Sequence, residues 1–132
     1  KGRPCQVYAN DVKVLIRSAD AGKYPDLVAF CGEPELLDDR QDVLLNPSLI
    51  VEVLYDSTEA YDRGDKFALY RQIPSLREYL LVSQQRVGVE LYQRGADDRW
   101  TLTDYAALTD SVPLASVDCT LELAEVYDKL TL

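Results

Sequence analysis

The chain has no histidine and no methionine, and only three cysteines in 132 residues. Without histidine, Ser–His and Cys–His nucleophilic catalysis cannot be assembled within it. Cys5, Cys31 and Cys119 lie far apart with no CxxC spacing, which argues against a structural zinc centre. Their odd number and apolar contexts predict reduced, buried thiols in a cytoplasmic protein rather than a disulfide framework. No run approaches the roughly 20 apolar residues that span a bilayer, so no membrane partner is expected. No signal-peptide pattern opens the chain, since Lys1-Gly2-Arg3-Pro4 leads into strand-like sequence. The first residue is not Met, and a native N-terminal segment is expected to precede it. Bases are also scarce: 14 Lys and Arg stand against 23 Asp and Glu, a formal charge of −9. Polyanion binding usually shows as a basic surface, so any nucleic-acid contact must come from local clustering.

What remains is a chain with 47% hydrophobic residues and no repeats, low-complexity tracts or internal linker, expected to form a single domain over residues 1–132. Residues 6–9 and 12–16 read as short strands joined at Asn10-Asp11, and 18–23 as a polar loop. Residues 26–31 read as a strand ending at Gly32, and 33–46 as a long acidic connection. Residues 49–54 are nearly all apolar, the pattern of a strand buried on both faces. Asp56 and Glu59 have capping-box spacing, and a helix is expected over 58–72, ended by Pro74. Strands follow at 79–83, 87–93 and through Trp100 and Leu102. Residues 121–130 read as an amphipathic helix with Leu123, Val126, Tyr127 and Leu130 on one face. This order predicts an α/β fold, a mixed sheet flanked by helices.

Glu52 stands in the middle of the apolar run 49–54. An unpaired carboxylate there would cost several kcal/mol, so it needs a cation, a proton or dense hydrogen bonding. A lone acid in such a strand is a functional site or half of a buried ion pair. Asp26 opens the other apolar run, and the Val53 carbonyl lies beside Glu52. Together they offer hard oxygen ligands for a divalent cation, which would activate water at a phosphodiester. On the expected helix Glu59, Asp62, Lys66 and Tyr70 share a stripe, and Lys66 is the candidate for charge stabilisation. The plainer readings are Asp26 as a turn or strand cap, and Asp62–Lys66 as a surface pair worth about 0.3–0.5 kcal/mol.

The motifs Tyr24-Pro25-Asp26, Glu52-Val53-Leu54, Asp62-Arg63-Gly64-Asp65-Lys66-Phe67 and Ile73-Pro74-Ser75-Leu76-Arg77-Glu78-Tyr79-Leu80-Leu81-Val82 resemble the Uma2 (Uma-two) family of putative restriction endonucleases, within the PD-(D/E)XK nuclease superfamily. The resemblance runs from Val7 to the C-terminal helix. It implies a restriction-endonuclease-like mixed β-sheet flanked by helices. It implies Mg2+, with Mn2+ as a substitute, held by Asp26 and Glu52. It assigns Lys66 to the role that the superfamily places two residues after the glutamate, where this chain has Leu54. Of the family's Ser-Pro-Ser-Thr run only Ser57 and Thr58 match, and Asp56 adds a negative charge.

The leading expectation is a Mg2+-dependent endonuclease with DNA as substrate. Asp26, Glu52 and the Val53 carbonyl would hold the ion, Lys66 would act on the attacking water, and Asp62 and Tyr70 would support. An inactive nuclease-fold interaction protein and a small-nucleotide phosphoesterase stay open as alternatives. A homodimer is an open expectation too, through a sheet edge at strand 87–93 or through Trp100 and Leu102.

Overall fold

Glu52 lies inside a sheet, and the chain's topology is arranged around the strand that carries it. The computed structural model describes residues 4–9, 11–38 and 42–128. Strands β1 (Cys5–Tyr8), β4 (Leu27–Cys31), β6 (Leu49–Val53), β7 (Glu78–Val82), β8 (Val89–Arg94) and β9 (Trp100–Tyr105) form one six-stranded sheet in the order β1-β4-β6-β7-β8-β9. Every neighbouring pair is antiparallel except β6–β7. Parallel neighbours need a crossover. Here two short helices, α1 (Glu59–Arg63) and α2 (Asp65–Tyr70), supply it and bring their side chains over the end of β6. A small sheet, β3-β2-β5 (Ala21–Lys23, Lys13–Ile16, Val43–Leu44), lies beside the large one, and β10 (Ser111–Leu114) pairs with β11 (Cys119–Glu122) ahead of α3 (Leu123–Val126).

Alternation along the strands divides the core in two. Val28, Ile50, Tyr79 and Leu81 pack with Val14 and Ile16 of β2 and with Phe67, Tyr70 and Ile73 from the crossover. Ala29, Leu49, Leu80, Val82 and Leu91 face the other way, onto Val112, Leu114, Leu123 and Tyr127. Glu52 is on the first face, under the crossover.

Several sequence expectations change. The expected helix over 58–72 is two helices broken at Gly64 (φ −102°, ψ −94°), where a Cβ would sit 3.2 Å from the Ala60 carbonyl oxygen. No capping box forms: Thr58 caps α1 without a side-chain bond, Glu59 pairs with Arg63, and Asp56 accepts from Gln85 at 2.8 Å. β1 and β2 do not pair, because β1 joins β4 and β2 joins the small sheet. The loop expected over 18–23 contains β3, and the acidic connection contains β5. The C-terminal helix is a strand followed by a single helical turn; Leu130 lies outside the described residues. β8 is paired on both sides, so β9 alone of those two leaves an edge.

The cysteine expectation is corrected as well. Antiparallel register sets Cys5 opposite Cys31 with Cα atoms 4.0 Å apart, and the two are disulfide-bonded; Cys119 is exposed, not buried. A separation of 26 residues hides the pairing in the sequence, because only strand register brings the two together.

One buried acid fastens the C-terminal hairpin to the sheet. Glu78, 2% exposed, accepts from Gln93 Nε2 at 2.7 Å, from the Ala115 and Ser116 amides at 3.2 and 3.0 Å, and from the Ser116 hydroxyl. Each buried donor left without an acceptor costs about 1–3 kcal/mol. Glu78→Ala is therefore expected to destabilise the fold by about 3 kcal/mol or more in urea unfolding, and a loss under about 1 kcal/mol would show that the hairpin is held otherwise.

Candidate active site

The Glu52 carboxylate is 3% exposed, and both its oxygens have donors. Tyr70 donates its hydroxyl to Oε2 at 3.1 Å, and the Lys66 ammonium lies 3.1 Å from the same oxygen. The Asp26 amide donates to Oε1 at 3.3 Å. Asp26 in turn accepts the Val53 amide on Oδ2 at 2.7 Å. Strand register places Leu27 opposite Val51, so Asp26 falls at the end of β4 beside Glu52. The strand-cap reading of Asp26 and its place beside Glu52 therefore hold together.

Lys66 also meets Asp62 Oδ1 at 3.0 Å. This is no surface pair: Asp62 is 2% exposed, and its Oδ1 has no other partner among the described residues. Tyr79 donates its hydroxyl to the Asp62 carbonyl at 2.9 Å, fixing the end of α1 over β7. Tyr61 lies under two ammonium groups, Lys66 at 5.6 Å and Lys23 at 5.3 Å from its ring centre. Asp26, Glu52, Lys66, Asp62 and Tyr70 thus form one connected group, and the Val53 backbone is part of it through its amide.

Sequence reasoning missed the brace beside this group. Arg63 Nε lies 2.9 and 3.1 Å from the two Glu90 oxygens, its terminal nitrogen reaches Oε2 at 2.6 Å, and Glu59 takes the remaining one. Such a two-pronged fork fixes direction as well as distance. It ties α1 to β8 next to Asp62. Glu52, Leu81, Glu90 and Asp104 lie in register across four strands, a row that no spacing in the sequence reveals.

Burial raises the Glu52 carboxyl above its usual range, with Lys66 only partly offsetting it. Burial would lower the Lys66 ammonium, but Glu52 and Asp62 outweigh it and hold the charge on. The two partners therefore fare differently: the lysine gains from the cluster, while the more enclosed carboxylate pays for desolvation. Burial, then the Glu52 charge, raises the Tyr70 hydroxyl, which stays a donor. The group formally holds three carboxylates and one ammonium: Glu52 and Asp62 meet Lys66, and Asp26 joins through its amide to Glu52. Among the described residues no three acids converge as a closed metal cage, yet Asp26 and Glu52 present hard oxygens from adjacent strands. A cavity of about 550 Å³ lies on the opposite face of the sheet among Leu49, Val51, Val53, Leu80 and Val82, and carries none of these acids or cations.

The sequence profile of the Uma2 family, described as putative restriction endonuclease, matches residues 1–124. Two proteins of Synechocystis sp. (strain ATCC 27184 / PCC 6803 / Kazusa) are similar. Uncharacterized protein sll1609 is 39% identical over 102 residues, covering 77% of this chain and 58% of that protein. Uncharacterized protein slr1290 is 37% identical over 128 residues, covering 96% and 65%. The chain spans less than two thirds of the length of either. The fold is similar to the crystal structure of a putative nuclease belonging to DUF820 from Anabaena variabilis ATCC 29413, with a TM-score of 0.76 over 96% of this chain and 69% of that one, at 12% identity. The likeness shows a restriction-endonuclease-like mixed sheet with few helices.

The raised Glu52 carboxyl has a consequence for stability. Its folded-state proton affinity exceeds that of the unfolded chain, whose value is 4.5, so stability falls as pH rises through the raised value, and no such loss exists well below 4.5. Glu52→Gln removes the charge and keeps an acceptor for Tyr70. In metal-free buffer it is expected to melt higher than the parent near neutral pH, the difference vanishing in acid. A lower melting temperature at neutral pH would show that the Lys66 pair outweighs desolvation.

Proposed function

The chain belongs to the Uma2 family of putative restriction endonucleases, and from that premise we propose that it is a metal-dependent endonuclease that hydrolyses DNA phosphodiester bonds at the Glu52 cluster. The observation that carries the reading is the buried Glu52 carboxylate, joined at 3.1 Å to Lys66 and flanked by Asp26 on the neighbouring strand.

The donor set suits Mg2+, which takes one or two carboxylates and fills its remaining positions with water and phosphate oxygens. Asp26 and Glu52 would hold the ion, with the Val53 carbonyl as the third protein oxygen. Asp62 adds to the surplus of formal negative charge, which favours a divalent cation. When bound, Mg2+ or Mn2+ supplies Lewis acidity and a more acidic water.

The other residues prepare this chemistry. The Lys66 ammonium, held charged between Glu52 and Asp62, orients the attacking water and stabilises the charge that develops on the phosphate. It reaches Glu52 from α2 rather than from β6, so Leu54 at the usual lysine position does not disable the site. Leu54 is buried in the core under the helices. Tyr70 fixes the rotamer of Glu52, and Asp62 that of Lys66. A second reading, a phosphoesterase acting on a small nucleotide, is favoured by the formal charge of −9, which a short substrate tolerates better than a polymer.

Supercoiled plasmid DNA incubated with the protein in Mg2+ or Mn2+ tests the proposal. Nicking is expected with metal and not with chelator. Glu52→Ala and Lys66→Ala are each expected to lower the rate by about 100-fold or more, with folding checked by circular dichroism. Should Lys66→Ala unfold, Glu52→Gln serves in its place. Cleavage by Glu52→Ala at the parental rate would overturn the reading. Turnover of short nucleotides with none of plasmid would select the second.

A further inference from the structure

An acidic chain that acts on a polyanion needs a local reserve of positive charge, and the fold builds one at the far end of α2 from Lys66. Arg71 follows α2, Arg77 precedes β7 and Arg94 ends β8. Arg94 donates to the Arg71 carbonyl at 2.5 Å and the Pro74 carbonyl at 3.1 Å, and its backbone amide donates to the Arg77 carbonyl at 2.9 Å. The three arginines are thus gathered by main-chain bonds. None of them forms an ion pair among the described residues. Arg71 and Arg77 are exposed.

Aromatic rings stand beside them. The Arg94 guanidinium lies 4.8 Å from the Trp100 ring centre, and Arg71 lies 4.8 Å from that of Phe67. Arg71, Arg94, Trp100, Gln72, Pro74 and Asp98 line an open cleft of about 520 Å³. Its one acid, Asp98, faces two arginines in the lining, and the neighbouring Asp97 is paired with Arg99 at 3.4 Å. Burial, with Arg77 adding repulsion, lowers the affinity of Arg94 for its proton, and Asp98 offsets this only in part. Cations that outnumber the acids beside them are what an anion relieves.

The cleft also lies on the sheet face that carries Glu52. Trp100 and Tyr92 pack on the same core as Ile50 and Tyr79, and Phe67, which touches Trp100 edge-on at 5.1 Å, is the residue after Lys66. Four residues lie between Lys66 and Arg71, a rise of about 8 Å along the helix, close enough for both to serve one strand.

We propose that this cleft is an accessory subsite for the substrate strand, in which Arg71, with Arg77 beside the cleft next to Arg94, binds a phosphate near the scissile one and Trp100 contacts the base beside it. The inference rests on the nuclease reading above and gives it a place for the polymer. Phosphate contact by arginine and base contact by an aromatic ring together suit a nucleic-acid strand with an unpaired base.

Trp100 is the only tryptophan in the chain, so its fluorescence reports on the subsite directly. A labelled single-stranded oligonucleotide is titrated in chelator, which prevents cleavage. Anisotropy of the label measures binding, and tryptophan emission measures base contact. Saturable quenching that follows the anisotropy is expected. The double variant Arg71→Ala, Arg77→Ala, altered only at exposed positions, is expected to bind about tenfold or more weakly, with a salt dependence shallower by about one phosphate contact. Binding without any change in Trp100 emission, or equal binding by the double variant, would overturn the proposal. The nuclease reading fails separately. Metal-dependent plasmid cleavage that the double variant retains at the parental rate leaves the nuclease and removes the subsite. Quenching by an otherwise inactive protein leaves the cleft and removes the nuclease.

Discussion

The carboxylate of Glu52 is enclosed by the sheet below and the crossover helices above, and each of its oxygens has a donor. Much of the surrounding structure exists to make that burial tolerable. Removing a carboxylate from water costs several kcal/mol, and a single surface lysine would not return it. The chain answers with an ammonium and a hydroxyl on Oε2 and a backbone amide on Oε1. The partners come from different elements, so the full set is available only when β4, β6 and the crossover have all assembled. The carboxyl nevertheless holds its proton more tightly than an exposed one. The proposed metal ion would relieve this tension, since a bound cation would supply the charge that the surroundings of Glu52 only partly provide.

The parallel pairing of β6 with β7 is what brings the partners overhead. It obliges the chain to cross over the face of the sheet, and the crossover carries Asp62, Lys66 and Tyr70. The break at Gly64 divides the crossover into two short helices, yet Asp62 on one still meets Lys66 on the other. Neither helix is long enough to be stable alone. Arg63 on Glu90, Tyr79 on the Asp62 carbonyl and the aromatic stack of Phe67 on Tyr79 hold them down. The opposite face of the sheet is apolar and closed in part by the β10–β11 hairpin, which Glu78 anchors.

The core strands were legible because their composition is extreme: residues 49–53 and 78–82 are apolar enough to leave no other reading. Glu52 was legible as an anomaly within one of them, and the stripe of Asp62, Lys66 and Tyr70 survived because helical spacing is largely preserved across the break. Elements held by few residues were not legible. Both missed hairpins use the same device, a 3-10 turn closed by an aspartate in the left-handed region, Asp20 at φ 50° and Asp118 at φ 55°. Arg17-Ser18-Ala19-Asp20 and Ala115-Ser116-Val117-Asp118 carry no Asn-Gly or Asp-Gly signal, so residues 18–23 read as a polar loop and the second turn drew no reading. The Arg63–Glu90 brace and the Cys5–Cys31 bond depend on strand register, which exists only after pairing. Residue patterning pointed to the mixed sheet and to Lys66, the family resemblance added the restriction-endonuclease-like fold and the role assigned to that lysine, and the braces around Lys66 come from the structure alone.

The most direct test of the central claim is manganese binding measured by isothermal titration calorimetry on the parent, Asp26→Asn and Glu52→Gln, without substrate. If the buried carboxylate and its neighbour on β4 form a metal centre, the parent binds about one ion and each variant loses at least tenfold in affinity. Equal binding by Glu52→Gln and the parent would contradict the account, and would make Glu52 half of a buried ion pair with a structural role only.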